Sequence, residues 1–242
     1  MKIHKLKKTI KQQLRRVGFH LYTDGSLPHG VDVYVDLRRL RGGRRVETIF
    51  DIGANIGQTS LRLSEEFQSA KIFAFEPFKE TFSQLSANTR HLRGVNTFNI
   101  ALGELSEVRR VKIESGSVFN SLKTNREAGS CYEEEISVER LDSFCGRNDV
   151  KKIDFLKTDT EGFDLEVLRG GGDMVTSGVI SSILCEVAFS PNNKQNTPFL
   201  SVFNYLTERG FRFHGLYDTF FLHRNSFDLA FCDALFCRPT FV

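Results

Sequence analysis

The 242-residue sequence has no tryptophan, two methionines and five prolines, against 23 phenylalanines. Phenylalanine is therefore the main large aromatic fill. With 40% hydrophobic and 26% charged residues, the composition is that of an ordinary globular protein and excludes wholesale disorder. The five cysteines, Cys131, Cys145, Cys185, Cys232 and Cys237, are odd in number and include no CxxC pair. Their spacing gives no reason to expect a disulfide framework or a cysteine-held zinc, so reduced thiols are expected. No apolar run reaches the roughly 18 residues that a membrane span needs. The opening MKIHKLKKTIKQQLRRVGFH is charged where a secretory signal needs an apolar core, so a cytoplasmic location is expected. Internal repeats, low-complexity tracts and a G-x-x-x-x-G-K-[ST] phosphate loop are missing as well.

The net charge of +3 conceals an asymmetry. Residues 1–45 hold twelve Lys/Arg against three Asp/Glu, a balance of +9, and the remainder carries −6. Ile3, Leu6, Ile10, Leu14 and Val17 recur at helical spacing between the basic residues and predict a basic amphipathic helix over 3–17. Such a helix caps a domain or contacts an anionic lipid surface or lipid-linked substrate. Basic charge confined to one terminal arm does not match a folded nucleic-acid-binding face. The expected organisation is an arm and lead-in over 1–45 followed by a single domain over 46–242.

From residue 46 the patterns alternate. Strands are predicted at Thr48–Ile52, Lys71–Phe75, Val95–Ala101, Ile153–Thr158 and Val179–Val187, and helices at Gln58–Phe67, Phe78–Asn88, Phe163–Arg169 and Phe199–Arg209. Strand–helix–strand at this spacing implies βαβ units, hence an α/β fold with a doubly wound, mostly parallel sheet. Two features depart from that plan. Val108–Ile113 and Glu135–Val138 read as a β-hairpin inserted after the third core strand, at or near the sheet. Phe211–Tyr217 and Ala234–Arg238 read as a C-terminal antiparallel strand pair.

Three motifs carry chemistry. The first is Asp51-Ile52-Gly53-Ala54-Asn55-Ile56-Gly57, directly after an apolar strand. A nucleotide-like ligand needs a sharp turn and close backbone approach, which Gly53 and Gly57 permit, and Asn55 tolerates positive φ. The second is Glu76, which ends the next strand about twenty residues on, where an acid accepts hydrogen bonds from ribose hydroxyls. The spacing is not G-x-G-x-x-G, and Asp51 would repel a phosphate and attract an ammonium. That favours S-adenosylmethionine over NAD or ATP. The third is IDFLKTDTEGFDLEVLRG. In an extended strand Lys157, Asp159 and Glu161 alternate onto one face, at the carboxyl end where α/β folds bind ligands. A structural ion pair of Lys157 with Asp159 or Glu76 is the plainer alternative. Glu186 ends the following strand and points to the same crevice. Glu133-Glu134-Glu135 read as a solvated face.

These segments resemble the FkbM family of class I, Rossmann-like methyltransferases. The resemblance rests on DIGANIGQ (51–58), FAFEP (73–77), ALG (101–103), SL (121–122), LDSF (141–144) and LKTDTEGFDLEVLRG (156–170), in order over roughly residues 30 to 190. It implies methyl transfer from S-adenosylmethionine, most often to an oxygen of a sugar, glycan or natural product. It implies cofactor binding by Asp51, Gly53, Asn55, Gly57 and Glu76, with Ala101-Leu102 and Asn120-Ser121 near the adenine. Ala54, Phe78 and Asp159 complete the expected pocket. The family commonly has Ile or Val where this chain has Thr158 and Thr160.

Methylating a hydroxyl requires removal of its proton. The candidates are Asp159, Glu161 or Glu186 as base, or Asp159 and Glu186 binding Mg²⁺ to acidify the hydroxyl. Lys157 qualifies only if burial depresses its pKa. His214, in the late strand, is a further candidate. The expected acceptor walls are 115–135, Ser190–Pro198 and the C-terminal strands. The rival readings are an NAD-linked oxidoreductase and a binding module that keeps the cofactor pocket without turnover.

Overall fold

The computed structural model describes residues 10–114, 131–190, 193, 195–221 and 229–239. Of the predicted 3–17 helix, residues 10–16 are helical, and residues 1–9 lie outside the described residues.

The main sheet is built from β1 (Thr48–Ile52), β2 (Lys71–Phe75), β3 (Val95–Phe98), β7 (Phe155–Thr158), β8 (Ser182–Ala188), β10 (Arg212–Phe221) and β11 (Leu229–Cys237). Their order is β10-β11-β8-β7-β1-β2-β3, and the short β9 (Thr197–Pro198) pairs with β8. The strands from β8 to β3 run parallel, whereas β11 is antiparallel to both β8 and β10. This is the doubly wound sheet with a C-terminal antiparallel pair that the sequence predicts. The β1 and β2 crossovers are helical, Gln58–Glu66 and Lys79–Thr89.

Two predictions need correction. The run Val95–Ala101 is not one strand: it breaks at Asn99, whose Nδ2 donates to the carbonyls of Glu76 (2.9 Å) and Pro77 (2.8 Å). The chain then enters a second sheet, in which β4 (Ala101–Gly103) runs parallel to β6 (Cys131–Arg140) and β6 pairs antiparallel with β5 (Glu107–Glu114). The inserted hairpin therefore forms its own three-stranded sheet. Glu134 is not part of a solvated face either. Period-two alternation turns it inward between exposed Glu133 and Glu135, where its Oε1 accepts from Lys79 N at 2.9 Å and satisfies an open helix N-terminus.

Several short elements are not predicted from the sequence, among them the helices Leu141–Arg147 and Asp173–Thr176 and the eight-residue helix Val33–Leu40, here α1. Asp32 caps it, accepting from Tyr34 N and Val35 N, both at 2.9 Å. Val33, Tyr34 and Leu37 pack with Ile49, Phe155, Leu184, Tyr217 and Leu235 on one face of the sheet. At the strands' amino ends, Arg41 binds Asp154 Oδ1 at 2.9 Å, and Asp154 Oδ2 accepts from Glu47 N and Thr48 N. The opposite face holds a phenylalanine cluster in which Phe144 meets Phe50, Phe73, Phe75 and Phe98 edge-on, at centroid distances of 4.8–6.0 Å. Each buried Phe contributes about 1.5–3 kcal/mol, which is where the phenylalanine-rich composition acts.

Candidate active site

Strand register gathers the chemistry. Asp51 pairs with Lys157, Lys157 with Leu184, Leu184 with Leu235, and Leu235 with Gly215. Two residues further along β8, Glu186 pairs with Asp233, which pairs with Tyr217. Paired residues share a face and alternate residues return to it. Asp51, Lys157, Glu186 and Asp233 therefore continue the α1-covered face toward the carboxyl edge of the parallel strands.

The loop after β1 is held by backbone contacts. Gly53 N and Ala54 N both donate to Phe75 O, at 3.0 and 2.9 Å. Gly53 has φ +81, and a Cβ there would lie 2.0 Å from the Asp159 carbonyl oxygen. Only glycine brings the β1 and β7 exits this close. Gly57 caps the next helix at φ +99, with Leu85 and Thr89 at its back. Asn55 takes φ +50, and its Oδ1 accepts from Ile56 N at 2.8 Å.

Glu76 joins this loop to the next. Its Oε2 accepts from Asn55 N (3.1 Å) and its Oε1 from Phe78 N (3.0 Å). Burial pushes its pKa up to about 7, against the lowering effect of those two bonds. Phe78 and Ala101 pack together with Val111, Ile136 and Val138. Leu102 lies instead in the main core with the phenylalanines. Ser121 and its neighbour Asn120 lie outside the described residues.

Asp51 is fully buried. Ser60 donates to its Oδ2 at 2.6 Å, while Oδ1 has no hydrogen-bond partner. Burial raises its pKa, and Lys157 and Ser60 oppose that. Lys157 Nζ lies 2.8 Å from Asp159 Oδ2. Desolvation pulls the ammonium's pKa down, but Asp159, Asp51 and Asp233 outweigh it and the net shift is upward. This corrects the idea of Lys157 as base: it stays charged and balances the carboxylates.

The remaining acids form a rim. Burial pushes Glu186 up to about 9, reinforced by Asp159, Asp164, Glu161 and Asp233, and Asn196 Nδ2 donates to its Oε2. Asp233, which the sequence reading missed, is pushed by burial to about 6 while Lys157 pulls it down. Glu161 sits at φ +52, its pKa raised by burial and then by Asp159 and Asp164. Asp164 accepts from Thr158 Oγ1 (2.7 Å) and Thr197 Oγ1 (2.9 Å), which gives the Thr158 hydroxyl its place. Two surface grooves of about 710 and 560 Å³ are lined by other residues, among them Glu104 and Tyr205 in one and Arg41 and Arg238 in the other. The unmatched carboxylate at the strand ends, not groove volume, marks the site.

Two further expectations change. His214 is four strands from Asp51 along the register, about 19 Å at the usual strand spacing. It sits beside His29 and Asp36, so it is not positioned as a base for this pocket. Among the described residues, His29, Asp36 and His214 form the one cluster of three metal-ligating side chains. Asp159 and Glu186 are not part of such a cluster among the described residues.

The methyltransferase FkbM domain model matches residues 51–213. Methyltransferase 1 of Beauveria bassiana is 29% identical over 145 residues, 52% of this chain and 58% of that protein. Hexuronic acid methyltransferase AglP of Haloferax volcanii is 28% identical over 163 residues, 67% and 64% of the two chains. The 2-O-methyltransferase NoeI of Sinorhizobium fredii is 25% identical over 144 residues, 53% and 58%. Each alignment spans less than two thirds of the relative's length. The family match runs from Asp51 at the end of β1 through the Gly53–Gly57 loop, Glu76 and the Lys157–Gly162 turn, and this chain belongs to the methyltransferase FkbM domain family.

Proposed function

We propose that this chain binds S-adenosylmethionine and transfers its methyl group to a hydroxyl of a saccharide or related natural-product acceptor. Asp51 carries the reading. A fully buried carboxylate with one unpartnered oxygen is a costly arrangement, and an ammonium relieves it where a phosphate would worsen it. S-adenosylmethionine supplies an electrophilic methyl group on a sulfonium. Asp51 would receive its ammonium. Glu76 would receive the ribose hydroxyls, since each of its oxygens accepts one backbone N–H and keeps a second lone pair. The Gly53–Asp159 contact makes the donor loop and the acidic rim one unit, which suits a reaction that depends on alignment.

The acceptor proton needs a base. Asp233, at about 6, is ionised just above neutrality. Glu186, at about 9, retains its proton there and can donate a hydrogen bond to the acceptor. Asp159, held by Lys157, is the second candidate base. The similarity to hexuronic acid methyltransferase AglP and 2-O-methyltransferase NoeI supports a saccharide hydroxyl as acceptor. Ile10, Val17, Phe19 and Leu21 are exposed within the basic lead-in, which supports contact with an anionic lipid surface or lipid-linked acceptor.

The test is calorimetry with S-adenosylmethionine, S-adenosylhomocysteine and NADH, then an acceptor panel read by S-adenosylhomocysteine release. The first two should bind and NADH should not. Asp51→Asn should weaken S-adenosylmethionine roughly ten- to hundred-fold, the size of one charge-assisted hydrogen bond. Undiminished binding in Asp51→Asn refutes the assignment, and binding without turnover on any hydroxyl acceptor leaves a binding module.

A further inference from the structure

The lead-in segment and the last hairpin meet in a cluster that the proposed reaction does not use. His29, Asp36 and His214 each offer one ligand atom, all within 4.8 Å of one another. We propose that these three side chains bind a divalent transition metal of the Zn²⁺ class, clamping the lead-in segment onto strand β10.

Four observations carry this. First, His214 is the extra residue of a β-bulge: Phe213 pairs with Phe236 and Gly215 with Leu235. A bulge re-aims the residue it inserts, and Phe213 packs among Phe199, Phe203 and Phe236 while His214 meets His29 edge-on, centroids 5.6 Å apart. Second, His214 Nε2 is shielded from solvent and has no hydrogen-bond partner.

Third, Asp36 is buried and oriented. Its Oδ2 accepts from Gly30 N (2.8 Å) and Tyr217 OH (2.9 Å), and Arg39 Nη1 donates to Oδ1 at 2.9 Å. Metal-ligating carboxylates have this kind of outer support. It leaves Oδ1 3.0 Å from His29 Nδ1. Fourth, the His29 side chain is 66% exposed, so the third ligand can adjust and a fourth position stays open to water. Tetrahedral zinc holds its ligand atoms about 3.4 Å apart, from bond lengths of about 2.0–2.1 Å, so the cluster has to contract by no more than about 1.4 Å to close around the ion. Two imidazoles and one carboxylate favour Zn²⁺ and similar metals over Mg²⁺ or Ca²⁺, which prefer all-oxygen sites. The Arg39 charge opposes the metal and weakens the site without removing a ligand.

The experiment uses the full chain, stripped with chelator and titrated with ZnCl₂ against a chromophoric zinc indicator at pH 7.5 and pH 6, with thermal unfolding in parallel. The expected result is one equivalent bound, weaker at pH 6 because the imidazoles must be neutral. Affinity should fall at least tenfold in both His29→Ala and His214→Ala, with a Zn²⁺-dependent rise in Tm in the wild type alone. His29→Ala alters an exposed side chain, so its circular dichroism should match the wild type. Absence of stoichiometric binding, or affinity unchanged in either variant, overturns the proposal.

Discussion

Gly53→Ala tests the close approach of the β1 and β7 exits. The new methyl would start 2.0 Å from the Asp159 carbonyl oxygen and 2.9 Å from its carbon. Carbon and oxygen need a little over 3 Å, so the β1 and β7 exits must part by about 1 Å. Two costs add. Placing a Cβ at φ +81 costs about 1 kcal/mol, and overpacking costs about 1–3 kcal/mol more. For a chain of this size, the total of about 2–4 kcal/mol lowers Tm by roughly 6–12 °C. Gly178→Ala isolates the contact, because Gly178 has φ +86 and nothing within 4 Å of the added Cβ; it carries the first cost without the second. The assays are paired thermal melts and calorimetry with S-adenosylhomocysteine. Gly53→Ala should be less stable than Gly178→Ala by the packing share, and it alone should lose affinity. Equal melts and intact binding in the two variants would refute the claim that close approach explains this glycine.

The other predictions concern charge. Glu76 in the folded chain titrates at about 7 rather than 4.5. Between those values the unfolded chain has released its proton and the folded chain has kept it, so stability falls as pH rises through this window and levels off above it. The shift corresponds to about 3 kcal/mol. Urea unfolding should therefore show Glu76→Gln gaining on the wild type by about that amount between pH 4.5 and 8, and a constant difference would sink the assignment. Lys157→Met leaves Asp51, Asp159 and Asp233 without their shared cation and should cost about 3–5 kcal/mol at pH 8. The loss should shrink near pH 5, as protonation relieves the uncompensated carboxylates. Equal losses at both pH values would mean that Lys157 does not balance those acids.

Periodicity made the alternating elements legible, because amphipathic strands and helices must bury one face whatever their neighbours. The turn at Gly53 and Gly57 was readable because few residues tolerate positive φ there, and Glu76 because a strand end points into the crevice. Pairing was not readable. Asp233 precedes a run that reads only as a late strand, and β11 lying antiparallel to β8 is what sets it beside Glu186. The helix Val33–Leu40 is eight residues long and hidden in a basic lead-in, where its period is too short to register.

By itself the sequence determined the order of the main strands and helices, the glycine turn, the two strand-end acids Asp51 and Glu76 and the family resemblance. These depend on local backbone freedom and spacing along the chain. Tertiary structure decided that Lys157 stays charged, that Glu186 holds its proton, that the hairpin forms a separate sheet, and that His214 joins His29 and Asp36 rather than the pocket. Those outcomes depend on burial and on charges brought together from distant segments. A pKa or a ligand cluster is a property of neighbours in space, and only the folded chain chooses them.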